Sequence, residues 1–596
     1  MKWYFADLPS GVKSMLRRWG EMLFGRGASP LLLLAAVLGS VAGLISAGFW
    51  DAIAALSAIC SYYVVRPLNH LLPLPWTWAS WGFLLPAAGG ALVGLLAHRV
   101  FRTPHRLGVP AVMLDARREW GRIPLRYVPS TFFNSLLTIG TGGSAGREAP
   151  VVAMGGGLGA WMARRLSLPP VQRRILVGCG AAAAIAAAFN APLAGVFFAL
   201  EVVLGDWRSG TLAPVMLASV AGTVVCRAAE GGPDASHFQV PPYQLAVWWE
   251  VFVYVGLGLV AGLAGQVFMR ALEGAEHKFE KMEVPAWVIP TIGGLGVGLV
   301  GLALPGVLGN GYPWAALACE GMLSWKLLLL LVVGKILATS LTLGSGGWGG
   351  DFAPTLFVGA MVGGVYGKLM GTALGGAIAG SGAYAMVGMG ALLAAMVRCP
   401  TTAVLLLFEL TGSYQVILPI MVAVATATFV SRRFSRYGLY HQRLRELGGP
   451  AFEMWTEGAF AHLTAGEVMR RDMRTVPEAT SYHDLLHIVT ESPQSVFPVV
   501  RYDGTMLGVV RLTDLRPHLV EAGAGDIPVV AAELAIEDVP FVTVETPVRE
   551  VAGLLAEVEW EELPVVGDVE DRKPCGIISR QDVLRATLAT LRERGR

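Results

Sequence analysis

Apolar runs follow one another along the chain as far as about Tyr440, separated by short polar or Gly/Pro-rich breaks. They cover roughly 31–55, 77–99, 131–165, 174–204, 211–227, 245–273, 286–304, 325–343, 352–370, 382–396 and 401–430. A helix needs about 20 apolar residues to cross a bilayer. Several of these runs are too long or too short, and others are punctuated by Gly155-Gly156-Gly157, Asn190-Ala191-Pro192 or Cys399-Pro400. The pattern predicts tilted helices and half-helices buried against one another rather than a row of clean spans. Backbone freed at each break must then be satisfied inside the protein, not in lipid.

Two of the breaks are copies. Gly140–Pro150 reads GTGGSAGREAP, and 204 residues later Gly344–Pro354 reads GSGGWGGDFAP. A second pair supports the repeat: Asn190–Glu201 reads NAPLAGVFFALE and Arg398–Glu409 reads RCPTTAVLLLFE, an offset of 208. Two matches at nearly one offset indicate two related halves, parallel or inverted. Paired interruptions in corresponding places mark a substrate site built from broken membrane helices.

After Tyr440 the texture changes. Two similar units follow, at 463–523 and 536–590, each reading as helix, short buried strand, turn, short strand, helix. The first contains Phe497-Pro498-Val499-Val500, Asp503-Gly504, Leu507–Val510 and Asp514; the second contains Leu563–Val566, Cys575–Ile578 and Asp582. Charge divides at the same place. Residues 463–596 carry a net charge of −9 and residues 1–462 a net +11, although the whole chain sums to only +2. With 54% hydrophobic and 15% charged residues, the chain is far less charged than the ~25% of soluble proteins. The expected organisation is an N-terminal segment 1–28, a membrane domain 29–445, a linker 446–462 and the two soluble units. The run from Leu31, preceded by Lys13, Arg17, Arg18 and Arg26, is expected to be a retained helix with a cytoplasmic N-terminus. The six cysteines are scattered and read as small buried hydrophobes.

The chemistry of the breaks follows from helix starts. Glycines before Pro150 leave backbone N–H groups uncovered, and a helix N-terminus favours an anion. Two such starts, at 140–150 and 344–354, predict one shared anion site. Glu148 lies where the anion would go, and an ionisable residue at membrane depth is a functional candidate. Its counterpart in the copy is Phe352, so the carboxylate is not needed merely to start the helix.

GTGGSAGREAP, GSGGWGGDFAP, FNAPLAGVFFALE and the Glu409–Gly412 stretch ELTG resemble the signature motifs of the CLC chloride channel and transporter family, over about residues 30–445. The 463–590 tail resembles a tandem of CBS domains. The resemblance implies an all-α polytopic membrane protein of inverted-repeat type with broken helices, plus a soluble α/β CBS pair. It implies a homodimer with one anion pathway per subunit, chloride as the transported ligand, and Glu148 as the gate. The anion site is expected at Gly146, Arg147, Ala149, Leu107, Gly108, Asp351, Phe352 and Tyr440, with backbone donors at Asp351 and Phe352 and the Tyr440 hydroxyl facing the anion. Three positions depart from the family. Leu107 stands where a serine hydroxyl is usual. Asp351 stands where an apolar residue is usual, and its side chain is expected to point away. Val202 follows Glu201 where proton-coupled members usually carry a second glutamate. That favours a passive gated channel, with proton-coupled chloride/H+ antiport as the alternative. In the tail, Ser579 and Asp582 fit the ribose-binding pattern of a CBS adenine-nucleotide site, whereas Asp514 is preceded by Arg511 instead of a hydroxyl residue.

Other classes fit less well. Glycine-rich dinucleotide or P-loop binding lacks a following Gly-Lys-Ser/Thr and any strand–helix alternation. A CBS-regulated cation transporter would need several carboxylates for a hard cation. An enzyme finds no Ser/His/Asp set or metal spacing in the membrane body.

Overall fold

A computed structural model describes residues 29–66, 81–103, 108–117, 124–232, 247–446, 463–492, 494–511, 529–537, 539–557, 560–568 and 570–586. The N-terminal segment 1–28, nearly all of the 446–462 linker, Leu107 and Asp514 lie outside the described residues. The chain divides into two compact units, Met1–Gly448 and Gly449–Arg596.

The first unit is helical throughout its described residues. Its first half contains α1 (Ser29–Ile59), α2 (Leu85–Leu95), α3 (Val109–Arg117), α4 (Tyr127–Gly140), α5 (Glu148–Arg165), α6 (Pro170–Phe189), α7 (Pro192–Phe198) and α8 (Ser209–Ala229). The second half repeats that order with α9 (Glu250–Glu280), α10 (Ile289–Ala303), α11 (Tyr312–Cys319), α12 (Trp325–Gly344), α13 (Phe352–Ala373), α14 (Ser381–Val397), α15 (Pro400–Thr411) and α16 (Ile417–Phe434). α17 (Leu439–Glu446) ends the unit. Among the described residues, eight helices are long and apolar enough to cross a membrane; the others are shorter, as the interrupted runs predict. The run 131–165 is two helices, α4 and α5, separated by the first glycine-rich break. The run 174–204 is α6, α7 and a wide turn at Ala199–Leu204.

The two halves are joined by matched polar contacts. Gly146 and Gly350 form an antiparallel bridge, with Gly146 N–H to Gly350 O at 2.7 Å and Gly350 N–H to Gly146 O at 2.8 Å. Ser144 N–H donates to Thr342 Oγ1, and Trp348 N–H donates to Thr138 Oγ1, both at 3.0 Å. Each pair is the other's image at the 204-residue offset. The antiparallel, reciprocal form of these bonds is what two halves related by a local two-fold axis make, as those of an inverted repeat are.

Glu201 and Glu409 complete the pattern. Glu201 accepts from Thr401 N–H (3.1 Å), Thr402 N–H (2.8 Å) and Thr402 Oγ1 (2.7 Å), so it closes the start of α15. Glu409 accepts from Leu193 N–H (2.8 Å) and Ala194 N–H (2.7 Å), so it closes the start of α7. Carboxylates at helix starts satisfy orphan N–H groups and complement the dipole. α7 and α15 begin abruptly because the preceding helices end on left-handed residues, Asn190 (φ +56°) and Arg398 (φ +65°). A proline then stands in the first turn of each new helix.

Gly155-Gly156-Gly157 does not break its run; it lies within the continuous α5. A Cβ on Gly155 would sit 2.3 Å from Gly180 O. The glycines let α5 and α6 approach backbone to backbone, as small residues do in membrane helix packing. Gly359 and Gly388 make the same crossing between α13 and α14, where a Cβ on Gly359 would sit 2.5 Å from Gly388 O. α6 and α14 are apolar on all sides and buried along most of their length, which is how a helix without a polar face reads.

The second unit holds two three-stranded sheets of one design. β1 (Val476–Pro477) pairs parallel with β2 (Val496–Val500), which pairs antiparallel with β3 (Met506–Arg511). β4 (Val542–Thr543), β5 (Glu562–Val566) and β6 (Pro574–Ser579) repeat this, including an irregularity at Val565/Val566 that matches the one at Val499/Val500. α18 (Tyr482–Glu491) and α19 (Val548–Glu557) are the amphipathic helices of the two modules. The short parallel strands β1 and β4 are not in the sequence expectation, because two residues give no readable period. In the β2–β3 turn, hydrogen bonds from Thr505 hold the Asp503 carboxyl below its usual range. The leading segments are exchanged between modules. Thr464 and Arg470 bridge to Pro547 and Ile577 of the second module, while Val530 and Ile536 bridge to Ser481 and Val509 of the first. Ala465 and Ala531 are accordingly buried in each other's module cores.

Candidate functional site

The antiparallel bridge brings the starts of α5 and α13 together. Glu148 is the first residue of α5, is 1% exposed, and points into this crossing. Its Oε1 accepts the Tyr312 hydroxyl. Its Oε2 lies over Gly146, where a Cβ would stand 2.3 Å from it, and has no hydrogen-bond partner among the described residues. The backbone amides of Glu148 itself and of Ala353 face the carboxylate. Aromatic rings close the surroundings: Phe189 lies 5.4 Å from Phe352 and 6.4 Å from Tyr312, and Phe198 lies 6.2 Å from Phe352. A carboxylate thus occupies a buried pocket whose donors belong to helix starts. That is a place for an anion, held at present by the protein's own.

The expected site residues divide into several roles. The Gly146 amide is taken by Gly350 O, so it closes the break rather than facing a ligand. Arg147 is buried, donates to Ala188 O at 2.7 Å and stacks on Trp50 at 4.0 Å. Its guanidinium braces α5 against α6 and α1 while adding positive charge near Glu148. Ala149 is buried against Gly350, whose Cβ would stand 2.7 Å from the alanine's Cβ. Phe352 starts α13 and lines the pocket with its ring. Gly108 lies at the start of α3, where its carbonyl accepts from the Ala111 and Val112 amides.

Tyr440 and Asp351 depart from expectation. The Asp351 carboxylate does not point away: its Oδ1 accepts the Tyr440 hydroxyl at 2.9 Å, and its Oδ2 lies 3.7 Å from the Arg443 guanidinium. The Tyr440 hydroxyl, expected to face an anion, is bonded to this carboxylate instead. Asp351 is at the helix start of α13, and a buried carboxylate turns to the strongest donors within reach. Val202 is buried in the wide turn after α7 and bears no proton-accepting atom.

Sequence reasoning missed Tyr312. The signal was present in the repeat: Gly311-Tyr312-Pro313 is the image of Gly108-Val109-Pro110 at an offset of 203. Lys335 was also missed. It is fully buried, with Nζ donating to Val307 O (2.9 Å) and Gly309 O (2.7 Å). It therefore pins the loop that delivers Gly311 and Tyr312.

In the second unit, Ser579 and Asp582 are brought together. Ser579 Oγ and N–H donate to Asp582 Oδ2 at 2.6 and 3.0 Å. Asp582 Oδ2 also accepts from Arg470 Nε at 3.2 Å, and Arg470 bonds Glu562. These residues border a cleft of about 540 Å³ that also reaches Ser495 and Arg585, within the size range of small-molecule sites.

Comparison with known proteins agrees with this architecture. The family described as "Voltage gated chloride channel" matches residues 89–432, and CBS domains match 465–521 and 530–589. The chain is 35% identical over 375 residues to a ClcB-like chloride channel protein of Ralstonia nicotianae, covering 62% of this chain and 86% of that one. It is 31% identical over 434 residues to the H(+)/Cl(-) exchange transporter ClcA of Cronobacter sakazakii, covering 70% and 91%. The solved structure of a slow cyanobacterial Cl-/H+ antiporter superposes with a TM-score of 0.63 at 26% identity, covering 70% of this chain and 97% of that one.

Proposed function

Because the chain belongs to the voltage gated chloride channel family and ends in a pair of CBS domains, we propose that it carries chloride across the membrane in exchange for protons. The observation that carries this reading is Glu148: a buried carboxylate at a helix start, held by the Tyr312 hydroxyl, in the crossing of the two repeats. An ionised Glu148 competes with an incoming anion for the same positive end of α5. Protonation neutralises the side chain, weakens its hold on that helix start and lets the anion in. One group thus responds to both ions, which is the least that exchange requires.

Val202 favoured a passive channel on sequence grounds, and the ClcB-like relative is named as a channel. Exchange is preferred because the ClcA relative and the cyanobacterial structure are both named for proton–chloride exchange. With valine at 202, the proton must reach Glu148 by another route than a glutamate there. The deciding experiment is the reversal potential in liposomes with equal chloride and unequal pH on the two sides. A reversal potential displaced from zero supports exchange. A value of zero with robust chloride current would establish the channel reading instead.

Three further features belong to the proposal. The protein is a homodimer with one pathway per subunit, checked by cross-linking in native membranes. Both ends of the chain are cytoplasmic, checked by labelling of single introduced cysteines. The Ser579–Asp582 cleft takes an adenine nucleotide through its ribose. Millimolar ATP, ADP or AMP should raise the melting temperature of the tail, and Asp582→Ala should abolish that rise.

A further inference from the structure

We propose that Asp351 is a second tethered anion, which occupies the Tyr440 hydroxyl beside the start of α13 and must be displaced before a transported anion can bind there. This rests on the transport reading above and names a specificity-determining residue within the same site. The two carboxylates are arranged alike. Glu148 is the first residue of α5 and accepts a buried tyrosine hydroxyl, that of Tyr312. Asp351 directly precedes α13, is 3% exposed and accepts a buried tyrosine hydroxyl, that of Tyr440, at 2.9 Å. Both flank the Gly146–Gly350 bridge. One carboxylate–tyrosine pair thus stands at each of the two crossed helix starts, although 148 and 351 are not equivalent positions at the 204-residue offset.

The surroundings of Asp351 suit an exchangeable anion. The helix start contributes partial positive charge, Tyr440 contributes an O–H donor, and Arg443 lies 3.7 Å from Oδ2. Arg443 is not committed to Asp351 alone, because it also holds Glu276 at 2.8 Å. Arg443 and Glu276 are 17% and 26% exposed, so the cluster runs from the buried aspartate towards water. Thr355 bonds the Asp351 carbonyl, through its Oγ1 at 2.7 Å, so the carboxylate is held by Tyr440 and Arg443 rather than by its own helix. A small monovalent anion at the same place would find the hydroxyl and the helix start once the carboxylate swings towards Arg443. With Asp351 in position, that anion meets a like charge and a donor already in use.

The test is chloride binding to the purified full-length protein in detergent, followed by isothermal titration calorimetry. Asp351→Ala removes both charge and acceptor, and chloride should bind about tenfold more tightly. Asp351→Asn keeps an acceptor for Tyr440 but removes the charge, and should give a smaller gain. Tyr440→Phe added to Asp351→Ala should cancel most of the gain, and should weaken binding more there than in the parent. In liposomes the same variants should lower the KM for chloride more than they change kcat. Folding is checked by elution volume and melting temperature; should the alanine variant fail to fold, the nearly isosteric asparagine variant carries the test. Folded variants that bind chloride no more tightly than the parent overturn the proposal. A parent that carries no chloride in liposomes would instead overturn the transport reading, and this inference with it.

Discussion

Glu148 and Tyr312 come from opposite halves of the chain, 164 residues apart, and their pairing is the most testable detail of the site. Glu148→Gln cannot ionise, so chloride flux should lose its pH dependence and rise about tenfold near pH 7.5. Chloride efflux from liposomes across a pH series checks this, and an unchanged pH profile would remove Glu148 from the gate. Tyr312→Phe removes the donor that holds the ionised carboxylate. A hydrogen bond to a charged group contributes about 1.5–3 kcal/mol, and one pH unit corresponds to about 1.4 kcal/mol. Flux in Tyr312→Phe should therefore persist to higher pH, by about one unit, in the same assay.

The elements owe their ends to groups supplied from the other repeat. α15 starts under Glu201 and α7 starts under Glu409. Removing either cap strands helix-start N–H donors, so Glu201→Ala and Glu409→Ala should each lower stability by about 1–2 kcal/mol. Thermal unfolding in detergent measures both, and a large loss in one with none in the other would argue against their equivalence. The helix crossings are as demanding. Gly155→Val puts a side chain where a Cβ alone would stand 2.3 Å from Gly180 O, and should cost about 2 kcal/mol or more. The two Gly-rich breaks, the proline starts and the repeat offset were all legible in the sequence, because glycine, proline and apolar runs act locally. Gly155–Gly157 was misread as a break for the same reason. A triple glycine looks alike whether the chain must turn there or another helix must come close.

At the scale of the whole molecule, the tail behaves as one body made of two modules. Each module's leading segment completes its neighbour: Ala465 is buried among second-module residues and Ala531 among first-module residues. Residues 463–523 alone should therefore show no cooperative unfolding by circular dichroism, whereas 463–590 should. A cooperative single module would contradict the exchange. In the membrane unit, the halves meet through reciprocal bonds, Ser144 with Thr342 and Trp348 with Thr138. Two related half-sequences thus form one site rather than two.

By itself the sequence determined the membrane class, the two-fold repeat, the tail modules and Glu148 as the distinctive carboxylate. These follow from hydrophobic runs, backbone-breaking residues and the one charged difference between two copies. Only the tertiary structure decided what the side chains at the crossing do. Asp351 and Tyr440 lie 89 residues apart and Glu148 and Tyr312 lie 164 apart, and no local period links such positions. Whether a buried carboxylate points away from a site or fills it depends on which donors the fold brings within hydrogen-bond reach. For Asp351, a hydroxyl and a guanidinium on α17 provided them.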